Sequence, residues 1–166
     1  MKNVLKISVL FILLIVLGNT ACNNKECFNN QSTLPLAGFY SMQNMKAVTV
    51  DSLTVYGIGV PGDSILLDNG KASSLYMPMP LSGNSASFVF HYNSENLNFI
   101  ELNDTLTIDY DSYPQFVSNE CGVIYKYDIK DFSYTKHLID SISMPTMEFN
   151  NIDIEVIKIY FRTENE

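Results

Sequence analysis

Apolar and polar residues alternate with a period of two along most of the chain beyond residue 27, the mark of half-buried strands. Leu106, Ile108 and Tyr110 take one face, while Thr105, Thr107 and Asp109 take the other. Phe88, Phe90 and Tyr92 alternate with Val89 and His91; Val123, Tyr125, Tyr127 and Ile129 alternate with Ile124, Lys126, Asp128 and Lys130. Further strands are predicted over 37–42, 52–58, 73–77, 98–102, 138–144 and 152–161. Asn103-Asp104 reads as a short turn tolerant of positive φ, predicting a hairpin between 98–102 and 105–110. In the last strand Ile152, Ile154 and Val156 share one parity and Ile157, Ile159 and Phe161 the other, so a β-bulge is expected near Val156 and Ile157. The stretch 111–120 reads as turn-rich.

Beyond the first 21 residues, no segment longer than about eight residues carries a helical stripe. Pro35, Pro61, Pro78, Pro80, Pro114 and Pro145 punctuate the chain at intervals that suit short strands and loops. The expected fold is therefore all-β: an antiparallel, immunoglobulin-like β-sandwich of about eight or nine strands, with a closed barrel as the alternative.

The amino terminus follows a different pattern. Lys2 and Lys6 precede the apolar run 7–17, and Gly18-Asn19-Thr20-Ala21-Cys22 follows with small residues before a cysteine. This is signal-peptide grammar, and a helix of eleven residues spans about 16 Å, half a bilayer core, so a permanent span is the weaker reading. Ala21-Cys22 resembles the end of a bacterial lipobox, although Asn19 stands where that motif usually has an apolar residue. The organisation expected is a signal over 1–21, a tether over 22–33 lipidated on Cys22, and one domain over 34–166. Lipidation would anchor the protein to a membrane, since several acyl chains hold where one is marginal. The alternative is ordinary cleavage near Ala21 and a soluble periplasmic protein.

With Cys22 acylated, Cys27 and Cys121 remain as a pair in an oxidising compartment, and a disulfide between them is the simplest outcome. It would close a loop of about 94 residues and stabilise the fold by at most roughly 4 to 5 kcal/mol. Two free thiols, or a Cys22–Cys27 bond in an unlipidated protein, are the alternatives. Without the signal the chain has eight basic and eighteen acidic residues, a net charge of −10. Such a surface repels phosphates, so nucleic acid is not an expected partner.

Three segments, 51–59, 104–108 and 112–122, resemble an uncharacterised family of small Bacteroidota lipoproteins, a domain of unknown function. The most specific piece is Ser112-Tyr113-Pro114 through Glu120-Cys121-Gly122. The resemblance spans roughly 27–161. It implies an exported cell-envelope domain, with Cys27 and Cys121 at positions where the family carries cysteines, and it implies no activity.

Candidate chemistry is sparse. His91 and His137 read as exposed strand histidines, since neither has the i, i+4 spacing of a metal face. No GxSxG frame surrounds any serine. Asp109 and Asp111, or Asp63 and Asp68 beside Asn69-Gly70, carry oxygen ligands that suit calcium but lack EF-hand spacing, so solvated acids are expected, with no metal and no cofactor. The ten Tyr and ten Phe read mainly as core, with an aromatic glycan platform as the functional counterpart. The tripeptide Asp-Ser/Thr-apolar, which resembles a Bacteroidota O-glycosylation acceptor, places candidate sites at Ser52, Ser64, Thr105 and Ser141, four against roughly 0.6 expected from composition. Turn-to-strand junctions generate the same tripeptide without any sugar.

The function expected is a non-enzymatic binding or assembly accessory of the cell envelope, on an outer-membrane lipoprotein, with an envelope protein or a glycan as partner. The alternative is a ligand-binding or hydrolytic domain with a polar pocket inside a small β-barrel.

Overall fold

The computed structural model describes residues 33–59, 64–118, 122–150 and 154–162. Residues 1–32, which hold the expected signal, Cys22 and Cys27, together with Cys121, Asp63 and Ile152, lie outside them, and with them the expected lipid attachment and disulfide. The described strands are β1 (Leu36–Ser41), β2 (Val50–Ile58), β3 (Ile65–Ala72), β4 (Ser74–Tyr76), β5 (Ser85–Tyr92), β6 (Asp104–Ser118), β7 (Gly122–Tyr134), β8 (Ile139–Ser143), β9 (Glu148–Phe149) and β10 (Glu155–Phe161). They form a four-stranded sheet ordered β4-β1-β10-β8 and a six-stranded sheet ordered β3-β2-β5-β6-β7-β9. One of the two sheets curls into a half-barrel, so a sandwich with barrel-like curvature is the all-β architecture.

The alternation predicted from sequence sets the interior. Leu106, Ile108 and Tyr110 of β6 and Phe88, Phe90 and Tyr92 of β5 are all buried. Phe39 and Phe161 from the small sheet meet edge to face at 5.3 Å, and Phe161 reaches Phe90 of the large sheet at 6.4 Å. Edge-to-face contacts of this kind align the ring quadrupoles and add to simple burial. The expected bulge is present: Leu36 pairs with Glu155 and Ala37 with Ile157, leaving Val156 as the extra residue. Val156, Ile157, Ile159 and Phe161 are consequently all buried.

Several expectations are corrected. The pair β1–β10 is parallel, whereas the other ladders among the described residues are antiparallel. Over 98–102 there is no strand: Ile100–Leu102 is a 3-10 turn. Asn103-Asp104 is therefore not a hairpin turn; Asp104 opens β6, whose neighbours are β5 and β7. The stretch 111–118 is strand, with Pro114 inside it opposite Tyr125. Asp68, Asn69 and Gly70 lie within β3, where Asn69 takes φ 40°, so they are no loop. His137 lies in the connection from β7 to β8 and not on a strand.

β6 and β7 run to 15 and 13 residues, whereas β5, the neighbour of β6, has eight and pairs only as far as Asp109, and β9, the outer neighbour of β7, has two. The outer half of this hairpin therefore leaves the sandwich. Its core-side face continues through the pairs Pro114–Tyr125 and Phe116–Val123, beyond the described strands of the smaller sheet. Val123 and Tyr125, expected on the buried face with Tyr127 and Ile129, are exposed, while Ile124 on the reverse face is buried.

Candidate functional site

Among the described residues, two places gather polar groups or open space. The first is a corner where β5 ends, β6 begins and β7 turns into β8. Asp104 is completely buried there. Its Oδ1 accepts hydrogen bonds from the Thr135 hydroxyl at 3.0 Å and the His137 N–H at 2.8 Å. Its Oδ2 accepts from the Tyr92 hydroxyl and the Leu138 and Ile139 N–H groups, each at 2.8 Å. Five donors thus satisfy one buried carboxylate, which is how such a charge is tolerated away from water. Burial, with the neighbouring Asp104 charge second, holds the Tyr92 hydroxyl far above the ordinary tyrosine range, in its donating form.

Both histidines border this corner. His91 Nδ1 lies 2.8 Å from Asn103 Oδ1, and His137 Nδ1 lies 3.0 Å from the Asn103 carbonyl and 3.9 Å from Asp104 Oδ1. Each ring therefore braces the chain entering β6. Among the described residues no three His, Cys, Asp or Glu side chains are grouped to hold a metal ion. Asp109 and Asp111 are both exposed, and Asp111 pairs with Lys130 at 3.2 Å, which also holds Asp128 at 2.6 Å.

The second place is a cleft of about 480 Å³ at one end of the large sheet. Gly57, Ile58 and Gly59 close β2 on one side and Ser64 and Leu66 open β3 beside them. Ala86 and Phe88 of β5 supply the floor, and the segment Pro78, Met79 and Pro80 crosses over it. That segment is fixed by its carbonyls: Met79 accepts from the Tyr127 hydroxyl at 3.0 Å and Pro80 from the Tyr110 hydroxyl at 2.6 Å. The lining is mostly apolar, with Ser64, Ser85 and Ser87 at its border, and the Ser87 hydroxyl is engaged with Thr107 Oγ1 at 2.9 Å. A cleft of this size and chemistry suits a small uncharged ligand. Sequence reasoning missed it; the only local signals were two glycines around Ile58 and two prolines around Met79.

The aromatic residues divide between core and surface. Phe39, Phe88, Phe90, Phe149, Phe161, Tyr92, Tyr110 and Tyr127 are buried, while Tyr76, Phe99, Tyr113, Phe116 and Tyr125 are exposed. On the outer face of the small sheet, the Tyr40 hydroxyl donates to Glu155 Oε1 at 2.7 Å. A Cβ on Gly38 would fall on the Glu155 carboxylate, so glycine is what lets that side chain lie flat on the sheet.

These tyrosines make alkaline stability a test of the structure. Tyr40 is pushed up to about 12, first by its hydrogen bond to Glu155, with burial and the Glu155 charge adding. Tyr110 is pushed up to about 12, first by burial and then by Tyr127. Both fold best protonated, whereas unfolded tyrosines ionise near about pH 10. Their contribution is therefore fully present below about pH 10 and is lost as pH rises through about 12. Urea midpoints should fall across that window, and in Glu155→Ala the Tyr40 ionisation should move back toward the ordinary value in a spectroscopic titration. A flat profile would contradict the burial of Tyr110.

Of the acceptor candidates, Ser64 is exposed and Ser52, Thr105 and Ser141 are half-buried. Asp104, which precedes Thr105, is enclosed by its five donors. This gives that tripeptide a structural role in opening β6.

Residues 52–161 match the family model DUF6452, described as a family of unknown function. No curated protein and no solved structure matches the chain.

Proposed function

From the premise that the chain belongs to this family of unknown function, we propose that it is an exported lipoprotein of the cell envelope, acting as a non-enzymatic binding domain. The observation that carries the binding role is the cleft between β2, β3, β5 and Pro78–Met79–Pro80, whose described lining is mostly apolar and carries no charged residue. Such a lining recognises an uncharged apolar ligand, or the uncharged part of a larger one. The envelope placement is supported by the signal-like run 7–17 and by Cys22 after small residues. The eleven residue-to-residue steps from Cys22 to Thr33 allow a tether of at most about 40 Å, so the bound lipid would keep the cleft near the membrane.

Two measurements test this. Cys22→Ser should move the protein from the outer-membrane fraction to the soluble periplasm; retention in the membrane would overturn lipid anchoring. For the cleft, purified protein should enhance the fluorescence of N-phenylnaphthylamine, an uncharged apolar probe, and Ala86→Phe should reduce that binding at least about tenfold by filling the floor. Near-ultraviolet circular dichroism of the tyrosines establishes that the variant is folded. Equal probe binding by both folded proteins would remove the cleft as the site.

Two further elements belong to the same reading. Cys27 and Cys121 form a disulfide once the protein is exported, because they are the two thiols left when Cys22 is acylated. Ser64 is the best placed of the four acceptor candidates for O-glycosylation, being the most accessible; intact-mass analysis of envelope-purified protein, with Ser64→Ala as control, tests it.

A further inference from the structure

The projecting half of the β6–β7 hairpin carries an apolar face with nothing described against it. Phe116 is 63% exposed, Val123 is 56% exposed, and both are cross-strand partners on the face that Pro114 and Tyr125 share. An uncovered patch of this kind at the end of a regular hairpin marks a contact surface. The question is what sits on it.

The path of the chain into the domain supplies the occupant. The Pro35 carbonyl accepts from the Met77 N–H at 2.9 Å. Two residues on, the Met79 carbonyl holds Tyr127, and the Leu81 carbonyl accepts from Ser112 at 3.1 Å. Tyr127 and Ser112 are a cross-strand pair at the base of the projecting half. The chain therefore enters β1 at the end of the sandwich from which the hairpin leaves. Thr33 is completely buried with φ 47°, so the chain arrives packed against the body. From Thr33 back to Cys27 is six residues, able to span about 20 Å, and six residues of strand from Ser112 to Ser118 rise about the same distance. Residues 27–33, Cys-Phe-Asn-Asn-Gln-Ser-Thr, contain one large apolar side chain, Phe28, and no charge.

We propose that residues 27–32 run back along the projecting hairpin, with the Phe28 ring seated on Phe116 and Val123. This deepens the disulfide reading above, since the same path brings Cys27 toward the hairpin turn, but it rests on packing and can hold without the bond. Its consequence is that only the five residues from Cys22 to Cys27 remain as free tether, so the hairpin end of the domain faces the lipid.

The test is nuclear magnetic resonance on the processed full-length chain. Cross-relaxation between the Phe28 ring and the Val123 methyl groups is expected. In Phe28→Ser, amide exchange at Val123 and Tyr125 should quicken about tenfold while the core amides of β5 stay unchanged. No Phe28–Val123 contact, with exchange unaltered in Phe28→Ser, would overturn the proposal. So would Val123 shifts that depend on protein concentration, which assign the face to a second copy, or on added phosphatidylcholine vesicles, which assign it to a membrane. Thiol alkylation followed by mass spectrometry reads the disulfide separately: free thiols together with the Phe28 contact reject the bond and keep the docking.

Discussion

Asp104→Ala is expected to lower the unfolding free energy by about 4 kcal/mol, because it removes the buried acceptor shared by five donors, of which those of Tyr92 and Ile139 are themselves buried. Three are consecutive backbone N–H groups, of His137, Leu138 and Ile139, and two are the hydroxyls of Tyr92 and Thr135. Water reaches this corner poorly, as the full burial of Asp104 and Ile139 indicates. Asp104→Asn should rescue little. Its amide would turn a donor toward other donors, replacing an attractive contact by a repulsive one. Urea denaturation of the wild type and both variants decides the matter. A loss below about 1 kcal/mol for Asp104→Ala would mean that the corner opens to solvent and that the carboxylate is dispensable.

The second large effect is expected at the aromatic contact between the sheets. Phe39→Ala should cost about 3 to 5 kcal/mol, as transfer and cavity terms combine at a site with no exposed surface. Phe39 touches Phe161, which in turn reaches Phe90, so the cavity would open where both sheets meet. Phe39→Leu, which keeps much of the volume, should cost under about 2 kcal/mol, since shape-tolerant replacements are the mildest. Similar losses for the two variants would show that ring geometry, not volume, governs the site.

How much of this was legible in the sequence depends on what carried each signal. Where one face of a strand meets the core and the other meets water, alternation reveals it, as in Leu106, Ile108 and Tyr110. The parity change between Val156 and Ile157 even located the bulge. β3 escaped because Leu66, Leu67, Asp68 and Asn69 show no alternation, in an edge strand whose register is irregular against β2. The pairing of 98–102 with 105–110 failed because Asn103-Asp104 carries turn chemistry in its composition. Asp104 uses its side chain instead on backbone groups more than thirty residues later. Backbone donors leave no residue-type signature, so neither that corner nor the role of His137 beside it could be read in advance. The cleft is equally silent, being made of what is missing at Gly57 and Gly59 and of where Pro78 and Pro80 cross. Parallel pairing of β1 with β10 joins the first and last described strands and is a fact of topology alone.

That parallel pair has a mechanical consequence. β1 lies inside its sheet, bonded to β4 on one side and, along all six of its residues, to β10 on the other. A pull on the chain ahead of Leu36 acts along the strand axis, while the inter-strand hydrogen bonds lie across it. The bonds to β10 are then strained together in shear, and none can open before its neighbours as they would if the strand were peeled from one end. A domain held by its amino terminus and tugged through anything bound to its far surfaces would resist with the whole length of β1 at once. In single-molecule stretching, force applied between the amino terminus and β10 should therefore meet a higher rupture force than force applied across the β6–β7 hairpin, whose ladder unzips from its open end pair by pair.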